Sequence, residues 1–145
     1  MKSKSISYIL LISIFSFAAC AQNSKTITNE STTDQKAAIA MNINTDEFAR
    51  LMQEDREVLI LDVRTDEEIA EGFIEGKTQI NFYDQDFRDK IAALDRNTPV
   101  MVYCRSAGRS TDVLGMMAEM GFQEVYNLEG GFEAWKAAGK TVTKN

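Results

Sequence analysis

Val100-Met101-Val102-Tyr103-Cys104-Arg105-Ser106-Ala107-Gly108-Arg109-Ser110 passes from a β-favouring apolar run into a small, basic turn and then into a helical pattern. The run from Val100 to Tyr103 follows Pro99, the only proline of the chain, and reads as a strand. From Ser110 to Met120 the residues Val113, Leu114, Met117 and Met120 share one helical face, and Gly121 supplies the natural stop. A strand that feeds a helix through a short loop is half of a crossover unit, the connection that parallel strands need.

The same alternation extends on both sides. Val58-Leu59-Ile60-Leu61-Asp62-Val63 is a continuous apolar run with one acid, as expected of a strand covered on both faces. Thr65 followed by Glu68 is a capping-box signature and predicts a short helix there. Thr78 to Phe82 reads as the next strand, and Phe87, Ile91 and Leu94, at i, i+4, i+7, as a helix. Upstream, Ala38 to Met41 predicts a first strand, and Thr45 is the expected N-cap of a helix that turns Phe48, Leu51 and Met52 inward. Downstream, Val125 to Leu128 forms a last strand, and Phe132 to Ala138 a last helix ending at Gly139. Strands separated by helices define an α/β domain: a mainly parallel sheet of about five strands with helices on both faces. It is expected over residues 38–145.

Composition narrows the chemistry. The chain has 145 residues, 44% hydrophobic and 26% charged, which suits one globular domain. A formal charge of −6 argues against a partner recognised through its phosphates, so no nucleic acid is expected. Histidine is absent, which excludes Cys-His and Ser-His pairs and imidazole-bound zinc. Cys20 and Cys104 are the only cysteines, so an all-cysteine metal site, a CxxC motif and a disulfide framework are excluded too. No metal and no cofactor is expected.

The first residues read as a targeting segment. Lys2 and Lys4 precede the apolar run Ile9 to Phe15, and Phe17-Ala18-Ala19-Cys20 closes it with small residues before a cysteine. This resembles a bacterial lipoprotein signal: 1–19 would be removed, and Cys20 would be lipidated as the mature N-terminus. An ordinary secretory signal, with Cys20 incidental, is the other reading. The polar, Ser/Thr/Asn-rich stretch to residue 37 reads as a flexible tether. A membrane-anchored envelope protein, facing the periplasm, is the expectation.

The turn after Tyr103 is the candidate site. Ligands of open α/β sheets bind beyond the carboxyl ends of strands, where loops meet helix N-termini. The small residues Ser106, Ala107 and Gly108 allow backbone N–H groups to converge into an anion nest. The helix N-terminus and the charges of Arg105 and Arg109 add positive potential, and all three effects favour a thiolate at Cys104. The alternative is an inert cysteine buried in an apolar core.

Three motifs together resemble a single-domain rhodanese over about residues 40–141. They are Leu61-Asp62-Val63-Arg64-Thr65 with Glu71-Gly72, the loop from Cys104 to Ser110, and Leu128-Glu129-Gly130-Gly131-Phe132 with Trp135. The resemblance implies the three-layer rhodanese-like fold and a sulfurtransferase. Cys104 would take the outer sulfur of a small-molecule donor, such as thiosulfate or an organic persulfide, carry it as a persulfide, and pass it to cyanide or a thiol. Arg105, Ser106, Ala107, Gly108, Arg109 and Ser110 would form the substrate-binding loop, with Asp62, Arg64, Glu129 and Gly130 as its supports. Family members often show Gly-His-Ile-Pro-Gly-Ala where this chain has Gly72-Phe73-Ile74-Glu75-Gly76-Lys77.

Other groups have simpler readings. Asp62 and Arg64 suit a structural ion pair, Trp135 core packing, and Met101, Met116, Met117 and Met120 core filling. Asp66, Glu67, Glu68 and Glu71 read as a solvated helix face. Two further functions compete with sulfur transfer by turnover. One is a module that relays or binds persulfide for an envelope partner. The other is a cysteine phosphatase or arsenate reductase, which uses Cys-x5-Arg, whereas Cys104 to Arg109 is Cys-x4-Arg.

Overall fold

The computed structural model describes residues 38–144. The expected signal segment 1–19, Cys20 and the expected tether through residue 37 lie outside the described residues. Ten elements alternate along the chain: β1 (Ile39–Ile43), α1 (Thr45–Leu51), β2 (Leu59–Asp62), α2 (Asp66–Ala70), β3 (Lys77–Gln79), α3 (Phe87–Ala92), β4 (Val100–Tyr103), α4 (Gly108–Glu119), β5 (Glu124–Leu128) and α5 (Gly131–Ala137). The five strands form one sheet in the order β1-β5-β4-β2-β3, and every pair is parallel. This is the α/β architecture expected from the alternation.

Side-chain alternation across the sheet builds two cores, one on each face. Leu61, Val100, Val102, Cys104 and Val125 pack with Phe87 and Ile91 of α3 and Val113 and Met117 of α4. Ile60, Met101, Tyr103, Tyr126 and Leu128 pack with Phe48 and Leu51 of α1 and Phe132 and Trp135 of α5. Strands β4 and β5 are buried along their whole length; this is why β4 reads as a continuous apolar run, whereas β5 also buries Glu124 and Asn127.

Several element ends differ from expectation for local reasons. The N-cap of α1 is Asn44, one residue before Thr45, and its side-chain carbonyl accepts from the Glu47 N–H at 2.9 Å. Strand β3 is shorter than Thr78 to Phe82 and runs from Lys77 to Gln79. The chain keeps only single links to the end of β2, through Ile80 N–H to Asp62 O and Phe82 N–H to Val63 O, before it turns. Helix α4 starts two residues before Ser110, and α5 one residue before Phe132. In both cases a left-handed residue, Ala107 or Gly130, precedes the first turn.

The order of strands fixes where a ligand belongs. From β4 the chain leaves toward β5, and from β2 it leaves in the opposite direction, toward β3. The carboxyl ends of β2 and β4 therefore flank the switch point, the crevice where such sheets bind ligands. Asp62 and Tyr103 are paired in register there. Arg64 and Cys104 each lie just beyond that pair.

Candidate active site

Cys104 is only 1% exposed and sits at the base of the loop that joins β4 to α4. Three carbonyls of this segment are engaged by donors of the helices. The Cys104 carbonyl accepts from Phe132 N–H at 2.8 Å and the Arg105 carbonyl from Glu133 N–H at 3.0 Å, both in the first turn of α5. The orphan donors of one helix thus tie down the loop that precedes another. The Ala107 carbonyl accepts from the Thr111 N–H at 2.9 Å and from the Thr111 hydroxyl at 2.8 Å. Among the described residues, no protein acceptor meets the backbone N–H groups of Arg105 through Ser110. With the carbonyls held elsewhere, this run of donors is free for an anion. The Ser110 hydroxyl lies 3.5 Å from Cys104 Sγ and 3.2 Å from the Ala107 carbonyl, and its one proton serves either acceptor in turn.

Two backbone positions make this curl possible. Ala107 adopts φ 74°, alone among the described non-glycine residues in having a positive φ. Gly131 has φ +60°, and a Cβ placed there would lie 2.5 Å from the Cys104 carbonyl oxygen and 2.7 Å from that of Arg105. Only hydrogen fits between α5 and the loop.

The two loop arginines are not free charges. Arg109 makes a two-pronged bond to Glu68 of α2, with Nη1 to Oε2 at 2.8 Å and Nη2 to Oε1 at 2.7 Å. The side chains are 16% and 21% exposed. Glu68 is itself fixed, because it closes the expected capping box: Thr65 N–H donates to its Oε2 at 3.0 Å. The Arg109 guanidinium holds the Glu68 carboxyl below its ordinary range, with the Thr65 N–H adding to the effect. Arg105, on the exposed rim, pairs through Nε with Glu133 Oε1 at 2.7 Å. The Tyr83 ring lies 5.5 Å from the Arg109 guanidinium and is 67% exposed. Glu68 and Glu133 are thus site residues that the sequence reading missed. In the sequence Glu68 belongs with a solvated acidic face, although its place three residues after the capping threonine is the signal that its side chain is held.

Asp62 and Arg64 form a buried pair beneath the loop, with Nη2 to Oδ2 at 2.7 Å and Nε to Oδ1 at 2.9 Å. Arg64 also donates to the carbonyls of Glu68 and Gly72, so it clamps α2, and its guanidinium stacks 4.0 Å from the Phe132 ring centre. The Tyr103 hydroxyl accepts from Ile74 N–H at 3.1 Å, and burial pushes its pKa well above the ordinary phenol value. Glu129 and Gly130 stand one step aside from the loop. The Glu129 N–H donates to the Ile43 carbonyl, and Gly130 caps α5, while the loop contacts come from Gly131, Phe132 and Glu133. Trp135 packs in the core and donates to the Thr141 carbonyl at 2.8 Å. Met101 and Met117 are buried, with Met116 and Met120 packed against the core. Among the described residues, no group of three or more acids or cysteines is placed to hold a metal ion.

Comparison with known proteins agrees with this geometry. Residues 44–138 match the rhodanese-like domain family. The chain is 38% identical over 103 residues to YtwF of Bacillus subtilis (strain 168), which spans 71% of this chain and 95% of that protein. It is 36% identical over 91 residues to the thiosulfate sulfurtransferase GlpE of Coxiella burnetii, spanning 62% of this chain and 82% of the relative. Among solved structures, a rhodanese-like domain protein from Staphylococcus aureus superposes with a TM-score of 0.61 at 30% identity, covering 72% of this chain and 97% of the other. The chain belongs to the rhodanese-like family. Its similarity to proteins named as sulfurtransferases sets the activity at the family level.

Proposed function

We propose that this domain transfers sulfane sulfur through a persulfide on Cys104. The observation that carries the reading is the run of unpaired N–H groups from Arg105 to Ser110 that directly follows the nearly buried Cys104, with the carbonyls of Cys104 and Arg105 held by α5. In the first step the Cys104 thiolate attacks the outer sulfur of the donor. The new Cys104–sulfur bond forms as the donor's S–S bond breaks, and sulfite or a thiolate leaves with the electron pair. In the second step cyanide or a thiolate attacks the outer persulfide sulfur. Thiocyanate or a new persulfide departs, and the Cys104 thiolate is restored. The loop donors serve the terminal persulfide sulfur, whose charge replaces that of the thiolate. The covalent intermediate makes ping-pong kinetics the expected pattern.

A phosphoryl-transfer reading fits less well. It requires an arginine to hold a tetrahedral oxyanion, and Arg109, the arginine at the end of the loop, is bonded on two atoms to Glu68. The expected result with p-nitrophenyl phosphate or arsenate is no turnover by the purified protein. Turnover that disappears in Cys104→Ser would favour the phosphatase reading instead.

We also propose that Cys20 is the lipidated N-terminus of an envelope protein, on the apolar run followed by Ala18-Ala19-Cys20. Cell fractionation with mass spectrometry of the N-terminal peptide tests this. A soluble protein with unmodified Cys20 would contradict it.

A further inference from the structure

An otherwise open anion cradle carries an unexpected charge balance at its mouth. Arg109 has both terminal nitrogens on the Glu68 carboxylate, and Arg105 is paired with Glu133 and within electrostatic reach of Glu71 and Glu68. Three carboxylates therefore accompany two guanidiniums, in a chain whose formal charge is −6. Glu68 cannot easily swing away, since the same carboxylate accepts from Thr65 N–H in the capping box. Among the described residues neither loop arginine is left as a free cation, so an incoming dianion must approach the acid field. A singly charged donor incurs about half that repulsion, because the interaction is proportional to its charge. Beside Arg109 stands the exposed ring of Tyr83, an apolar surface available to an organic substituent.

We propose that Glu68 is a specificity-determining residue which, by holding Arg109, turns the site away from doubly charged sulfane donors such as thiosulfate. Singly charged organic donors, the thiosulfonates and alkyl persulfides, are the class it favours, with Tyr83 contacting their apolar part. The inference rests on the sulfur-transfer reading above. With a thiosulfonate, the Cys104 thiolate takes the outer sulfur, the bond to the sulfonyl sulfur breaks, and a sulfinate leaves with the electron pair.

The test compares kcat/KM for thiosulfate and benzenethiosulfonate in the full chain, in wild type and in Glu68→Gln. Glutamine retains the capping-box geometry and removes the charge. Glu68→Gln is expected to raise the thiosulfate value about tenfold and the benzenethiosulfonate value about threefold, as a charge ratio of two requires. In wild type, added salt is expected to raise the thiosulfate value, and Tyr83→Ala to lower the benzenethiosulfonate value more than the thiosulfate value. Equal changes for both donors in Glu68→Gln, or a thiosulfate rate in wild type that falls with salt, would overturn the inference. The mass of Cys104 after each donor separates the two levels. Persulfide loading with an unmoved donor ratio defeats only the role of Glu68, whereas no loading from either donor defeats the sulfur-transfer reading with it.

Discussion

Gly131 is the residue on which the loop and α5 depend most narrowly. A Cβ there would lie 2.5–2.8 Å from backbone atoms of Cys104 and Arg105, and its φ of +60° already disfavours any side chain. Backbone cannot yield as a flexible side chain does, so Gly131→Ala is expected to cost at least about 2 kcal/mol in denaturant unfolding. The loop should also shift, so sulfur uptake should fall with stability. Ala107 presents the opposite case. It holds φ 74° with a methyl group attached, a conformation that costs a non-glycine residue about 1–2 kcal/mol. Glycine would relieve that strain and lose part of the gain to unfolded-state entropy. Ala107→Gly is therefore expected to stabilise by up to about 1 kcal/mol, read as a higher denaturant midpoint at unchanged slope. Gly108, by contrast, has no heavy atom within 4 Å of a built Cβ and does not need its glycine for space.

At the scale of elements, α2 links the buried ion pair to the rim of the site. Arg64 grips the α2 end of the chain through the Glu68 and Gly72 carbonyls, and the Glu68 side chain reaches across to Arg109 on α4. Asp62→Asn would leave Arg64 buried without its counter-charge, at an expected cost of about 3–5 kcal/mol in unfolding free energy. The Glu68 carboxyl binds its proton less readily in the folded state than in the unfolded chain, whose ordinary value is 4.5. Its contribution is therefore fully present above pH 4.5 and is lost as pH falls through the depressed folded value. In urea titrations across this range, the stability gap between wild type and Glu68→Gln is expected to narrow as pH drops below 4.5. A gap that widens in acid would reverse the assignment.

Across the whole molecule, much of the architecture was legible because it follows from local rules. The apolar run from Val58 to Val63 contains the strand β2, that from Val100 to Tyr103 is the buried strand β4, Thr65 and Glu68 form the capping box, and Cys104 lies at the carboxyl end of β4. The strand order was not legible, since only packing decides which strands are neighbours. Nor were the partners of Arg105 and Arg109. Glu68 is 41 residues from Arg109 and Glu133 is 28 from Arg105, separations that no helical or strand period connects. The sequence alone therefore suggested an electropositive mouth, where the fold brings an acid to each arginine. The Glu129-Gly130-Gly131 turn is the support that the sequence suggests for the loop; the contacts fall at Gly131 and continue to Glu133, because N–H groups of a first helical turn reach the loop carbonyls.

The account centres on Cys104, the sole cysteine of the domain, as the atom that carries sulfur. Intact-mass spectrometry after adding a sulfane donor without acceptor tests this most directly. The predicted result is a gain of about 32 Da, one sulfur atom, that is discharged by cyanide or thiol and is absent in Cys104→Ser. Sulfane-sulfur transfer at the wild-type rate by Cys104→Ser would contradict it.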